Sequence, residues 1–225
     1  MVGTPSFETN VFINCPFDKE YQPLLWALLF AVIDCGFEPR IALENADAGA
    51  VRIEKIKDLI QTAQYSIHDL SRMEALRARF FPWKARSFPR FNMPFELGLD
   101  LGCRNFGAAE HKKKKCLILE KEEYRYRQVL SDIAGNDIKA HNDEPETLVS
   151  CVRDWFHGQR SQPRAPMPSG FMVWDRYNKA RSYIELTAQD RGYQPDNFTA
   201  MPVTEFIDFI KEWQEDNPVP PMRTH

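Results

Sequence analysis

The sequence predicts an α/β fold: a mainly parallel sheet flanked by helices, with a small helical C-terminal extension. Three observations predict it. Short β-branched runs alternate with segments of helical period over residues 11–157. A break containing several prolines and two glycines follows at 158–170. Beyond the break only helical patterns remain. Strands that alternate with helices are joined by right-handed crossovers, which make parallel neighbours.

The elements follow in order. Val11–Cys15 is a buried strand stopped by Pro16. The loop 16–21 is polar with two aromatics. Leu24–Asp34 has helical content, and Gly36 stands where a helix takes its left-handed terminating residue. Pro39–Leu43 is a second strand and Glu44–Ala50 a loop. From Val51 to Ala63 apolar residues recur at helical spacing. Tyr65–Asp69 is a third strand ending in a carboxylate. The segment 70–89 has no clear period and is rich in arginine and aromatics. A helix is expected over Pro94–Gly102, a strand over Cys116–Leu119, and a helix or irregular lid over Tyr124–Ile133. Asp137–Ala140 is a short strand and Pro145–His157 an amphipathic helix. Phe171–Asp190 and Thr204–Glu215 are the last helical patterns, with a loose tail after Asn217. The expected domains are 1–157, a linker 158–170, and a helical extension 171–225.

Composition narrows the function. Hydrophobic residues are 43% and charged residues 27%, which excludes a disordered chain. The net charge of −3 gives no field toward nucleic acid or an anionic membrane. The longest apolar run, Leu24–Ile33, is too short to span a bilayer, so no membrane is expected. Five scattered cysteines without a CxxC pair or an N-terminal signal suggest reduced thiols and a cytoplasmic location.

Ligands on parallel sheets bind beyond the carboxyl ends of the strands. That rule selects 16–21, 44–49, 69–91 and 120–135, and with them the start of the helix after the third strand. There Glu96 stands among Phe95, Leu97, Leu99 and Leu101, with Pro94 suited to a first helical position. The helix is expected to be mostly buried. Glu96 is then either a helix-end stabiliser or a catalytic carboxylate set against an electron-poor sugar carbon.

The other candidates carry two readings each. Asp69 orients a ribose hydroxyl or caps a turn. Asn92 fixes the sugar or makes a turn. Phe17 stacks on a base or packs on the following helix, and Asp18 lies on the rim or caps that helix. Arg52 meets a phosphate or is solvated. The basic loop 72–90 clamps a pyrophosphate or forms a solvated lid. Lys112–Lys115 is a solvated turn. His68 is a core histidine, and no histidine has metal spacing with the cysteines. No metal is expected.

Asn92-x-x-x-Glu96-Leu97-Gly98, followed by an apolar stretch and Gly102, resembles the signature of bacterial TIR-like nucleotide-binding domains. It also resembles the nucleoside 2-deoxyribosyltransferases, which share that architecture. Val11–Ile13, Asp69, Cys116–Leu119 and Ser131-Asp132-Ile133-x-Gly135 agree in order and spacing, so the resemblance covers roughly residues 10–140. The long basic insertion before Asn92 departs from it. The resemblance implies a flavodoxin-like, TIR-like sheet with Glu96 catalytic; Asp69, Asn92, Phe17, Asp18 and Arg52 are the rim candidates expected around its nucleotide. It implies an NAD(P) or nucleotide N-glycosidase of the kind used in antiviral defence. NAD is then a substrate, with no cofactor. Homo-oligomers or a partner protein would use the C-terminal helices. The alternatives are a nucleotide or cyclic-nucleotide binding module without catalysis, and a deoxyribosyltransferase.

Overall fold

In the computed structural model, five strands make one sheet: β1 (Asn10–Asn14), β2 (Glu38–Ile41), β3 (Tyr65–Asp69), β4 (Lys115–Glu120) and β5 (Lys139–Ala140). The structure describes residues 6–44, 49, 51–72, 91–128, 130–133, 135–160, 167–194 and 198–220. The basic segment 73–90 therefore lies outside the described residues, as do 161–166 of the expected linker and 221–225 of the tail. The helices are α1 (Gln22–Asp34), α2 (Arg52–Gln61), α3 (Asn92–Phe106), α4 (Pro145–Gln159), α5 (Gly170–Asp190) and α6 (Val203–Asp216).

The strand order is β2-β1-β3-β4-β5, and all five strands are parallel. Val11 faces Tyr65 across β1 and β3, Tyr65 faces Lys115 across β3 and β4, and Leu119 faces Lys139 across β4 and β5. This is the flavodoxin-type doubly wound order, whose direction of winding reverses between β1 and β3. The α/β expectation is borne out, and Tyr65–Asp69 agrees residue for residue.

By its internal packing the chain divides into two units. One holds residues 1–16, 40–42 and 47–142; the other holds 17–39, 43–46 and 143–225. The division cuts across the expected domains, because α1 and α4 pack with α5 and α6. The reason lies in α1, where every residue from Leu24 to Asp34 is buried. A helix that is apolar all round needs cover on every side.

In the first unit, Phe12 of β1 packs with Ile56, Leu59 and Ile60 of α2, and Leu99 and Cys103 of α3 lie against them. A second cluster joins Met93 and Leu97 of α3 to Leu70, Ile118 and Tyr126. In the second unit, Trp26 stacks on Phe206 at 4.6 Å and meets Phe198 edge-on at 4.9 Å. Phe37 stacks on Phe156 at 4.0 Å. Arg176 grips Asp34 through Nε and Nη2 at 2.8–3.1 Å, and Gln214 donates to the same carboxylate at 3.0 Å. α1 ends as expected, with Gly36 at φ +88° just past its C-terminus. Among the described residues, no helix is long and apolar enough to cross a membrane.

Candidate active site

α3 begins two residues before Pro94, at Asn92. Pro94 is its third residue, where a backbone N–H still has no intrahelical partner, so the proline costs the helix nothing. The shift changes the meaning of Glu96. It is the fifth residue of α3, no longer in the first turn, and Phe91 at the N-cap makes no side-chain bond. A capping box needs its carboxylate at the third position. The capping-box reading of Glu96 is therefore excluded.

The buried face of α3 consists of Met93, Glu96, Leu97 and Asp100, at helical spacing. Phe95 is 57% exposed and Phe106 90% exposed. The expectation of a mostly buried helix is thus corrected at Phe95, while Leu99 and Leu101 are partly buried against the core. The two carboxylates face in while the phenylalanines face out.

Glu96 is only 6% exposed, and among the described residues its carboxyl has neither a hydrogen bond nor an ion-pair partner. Burial pushes it up to about 7, opposed by the Arg52 guanidinium charge. Arg52, the first residue of α2, is itself exposed.

Asn14 fixes where this carboxyl stands. Its Nδ2 donates to Met93 O at 2.9 Å and to His68 Nδ1 at 2.9 Å. Asn14 ends β1 and His68 lies near the end of β3. The first turn of α3 is thereby pinned to the carboxyl end of the sheet at the β1/β3 reversal, where such sheets bind ligands.

The Asn14 bonds also set the His68 tautomer. Nδ1 accepts, so the ring proton sits on Nε2, which donates to Asp100 Oδ2 at 3.2 Å. Ser66 Oγ donates to the same oxygen at 2.5 Å. Lys114 is buried, with Nζ 3.1 Å from Asp100 Oδ1 and bonded to the carbonyls of Ile60 and Ala63 near the end of α2. Burial alone would raise the Asp100 pKa. The His68 hydrogen bond, with the Lys114 charge and the Ser66 hydrogen bond, outweighs it and holds the carboxyl at about 2. The expected solvated turn over Lys112–Lys115 is corrected at Lys114, which is 3% exposed.

His68, Asp100 and Cys116 bring three donor atoms within 4.8 Å of one another. They do not fit a cation. His68 Nε2 already holds its proton, Lys114 faces Asp100, and burial pushes the Cys116 thiol up to about 12.

At the ends of β3 and β4 a second polar cluster forms. Asp69 is fully buried, and its Oδ1 accepts from the Ser71 N–H at 2.8 Å and from the Ser71 hydroxyl. Its Oδ2 lies 3.0 Å from His141 Nε2. Asp69 thus holds the turn after β3. Glu120 is fully buried too, and Oε1 accepts from Lys121 N at 2.7 Å and from Arg125 Nη2 at 2.5 Å. Burial raises the Glu120 pKa against the pull of Arg125. Arg125 also donates to Ser71 O at 2.5 Å, which ties the two strand-end loops together. In the loop after β4, Tyr124 takes φ +62°, a strained conformation for a bulky residue.

Of the sequence candidates, the structure groups Glu96 with the charge of Arg52 and puts Asn92 on the exposed first residue of α3. Asp69 belongs to the Ser71–His141 cluster. Phe17 and Asp18 fall in the second unit, where Asp18 Oδ1 accepts from Tyr21 N at 3.0 Å. Asp18 is not the N-cap of α1, which is Tyr21. Sequence reasoning missed Asp100, Lys114, Glu120, Arg125 and His141. Asp100 had a signal: it lies four residues after Glu96 and so shares its helix face.

No protein-family model matches this chain, and neither a curated protein nor a solved structure matches it.

Proposed function

We propose that this protein cleaves the N-glycosidic bond of NAD(P) or a related nucleotide, with Glu96 as the catalytic carboxylate. One observation carries the reading: a buried carboxyl with no partner among the described residues, pushed up to about 7, on a helix pinned to the β1/β3 reversal. Perturbed acids in such positions are candidates for chemistry. The likeness of Asn92–Gly98 to the TIR-like signature supports the choice of substrate.

The chemistry suits this carboxyl. In NAD the nicotinamide nitrogen is already cationic, so the base leaves with the bonding electrons and needs no proton. Positive charge then develops at the ribose C1′. The Glu96 carboxylate stabilises that charge or attacks the carbon, and water completes hydrolysis. The cationic substrate itself draws Glu96 toward its ionised form. Arg52, whose charge reaches Glu96, is the group proposed to meet a phosphate.

The test is nicotinamide release from NAD by the concentrated, purified chain. Glu96→Gln is expected to lower the rate by about 100-fold or more. Equal turnover by the variant rules out this role. Tight nucleotide binding in calorimetry with no product by chromatography would favour a binding module instead. Base exchange between deoxynucleosides would favour a deoxyribosyltransferase.

A further inference from the structure

α3 has two unlike faces. Its charged residues, Glu96, Asp100 and Arg104, are buried or half-buried on the inner side. On the outer side Phe91, Phe95, Gly98, Gly102 and Phe106 recur every three or four residues and form one stripe. Phe91, at the N-cap, has helical φ and ψ and so continues the spiral. The three phenylalanines are 67%, 57% and 90% exposed in turn. The outer face of a surface helix is ordinarily charged or polar. This one carries rings and glycines instead.

Three further features specify what covers the stripe. Gly98 and Gly102 stand inside the helix, where glycine is disfavoured against alanine. Among the described residues nothing lies within 4 Å of a Cβ added to either, so packing within the chain does not call for them. Close approach of another backbone does. Beside them runs an open groove of about 590 Å³ between α2 and α3, walled by Lys57, Ile60, Gln61, Leu99 and Cys103 among others. The stripe is also its own complement. Turned end for end about an axis near residue 100, Gly98 of one copy faces Gly102 of a second, and Phe95 faces Phe106.

We propose that the outer face of α3 is the interface of a two-fold homodimer, with the two helices crossing antiparallel at Gly98 and Gly102. The same patch then serves both copies, as a two-fold contact requires. The area suffices. A phenylalanine carries about 200 Å² of surface, so the three exposed rings leave roughly 400 Å² on each copy. Two copies bring ~800 Å² of aromatic surface to a contact that needs about 1,000 Å² in total, and the groove walls extend it. Glu96 lies on the opposite face, so the interface does not depend on the reading given to that residue.

The test is sedimentation equilibrium of the purified full-length chain at tens of micromolar, where a mass of twice 26.2 kDa is expected. Phe106→Glu puts a charge in place of the most exposed ring, and Gly102→Leu fills the crossing point. Each is expected to raise the dimer dissociation constant by about tenfold or more, with the circular dichroism unchanged. A monomer at that concentration overturns the proposal, and so does a dimer that neither variant weakens. Phe95→Cys and Phe106→Cys chains, mixed in oxidised glutathione, are expected to join residue 95 to residue 106 across the copies, identified by peptide mass. Links only between like positions overturn the antiparallel crossing. If Gly102→Leu does not fold, Phe106→Glu still decides.

Discussion

Glu96 and Asp100 stand one turn apart on the buried face of α3, yet Glu96 titrates at about 7 and Asp100 at about 2. Both are buried, and burial alone would raise both. Asp100 receives His68, Ser66 and the Lys114 charge; among the described residues Glu96 receives no hydrogen bond. Two carboxyls pushed apart in this way divide the work, one titrating and one holding structure. His68 and Lys114 thus bind Asp100 and not Glu96.

The activity profile should report this directly. If Glu96 acts as proposed, hydrolysis needs its ionised form, so kcat/KM for NAD is expected to rise with pH and level off above a midpoint near 7. The midpoint of kcat should lie lower, because the bound pyridinium favours the carboxylate. A profile flat from pH 5 to 8 contradicts the assignment.

Stability should show the opposite dependence. The Glu96 pKa is raised on folding, from 4.5 to about 7, so the unfolded chain loses this proton first as pH rises. The stabilisation is complete below 4.5 and is lost on passing through 7. Glu96→Gln is therefore expected to be more stable than the native chain above pH 7, by ~2 kcal/mol, with the difference shrinking toward pH 4.5. Urea melts at both pH values measure it.

Asp100→Asn should destabilise by about 3–5 kcal/mol at pH 7, since it leaves the Lys114 ammonium buried without a counter-charge. Its own linkage runs the other way from that of Glu96. The Asp100 pKa is lowered on folding, so its contribution is present above 3.8 and is lost as pH falls through about 2. Lys114→Met combined with Asp100→Asn should recover part of the loss. A double variant no better than Asp100→Asn would show that the pair is not coupled.

Gly36→Ala tests the end of α1. Gly36 has φ +88°, and nothing lies within 4 Å of an added Cβ, so the cost is conformational alone. About 1 kcal/mol is expected in thermal melts, with no change in nicotinamide release.

Arg125→Ala should loosen the loop after β4 without unfolding the sheet. The Lys121 amide, held by Glu120 Oε1, is expected to exchange with solvent ~10-fold or more faster, while amides within β4 keep their protection. Equal protection at Lys121 would show that Arg125 is not its support.

The strands and most helices were legible because their patterns are local. Tyr65–Asp69 and the Gly36 stop follow from residue type alone. α3 was harder for a definite reason. Phe95, Leu97, Leu99 and Leu101 alternate every second residue, which on a helix scatters them around the axis. Residues 93, 96, 97 and 100 share the inner face, and that spacing was present in the sequence. Lys114 could not be picked from a run of four lysines, because only the carbonyls at the end of α2 and Asp100 distinguish it. The partition of the chain was hidden as well: nothing in Leu24–Asp34 names the helices that cover it.

That cover has a consequence for how the chain is made. Asp34 is synthesised early, and Arg176, which neutralises it, lies 142 positions later. At ribosomal speeds this is a delay of roughly 7–30 s. Through that interval Asp34 lacks the guanidinium that pairs with it in the folded chain. The expected sign is aggregation of nascent chains stalled between α4 and α5, relieved once α5 has cleared the exit tunnel.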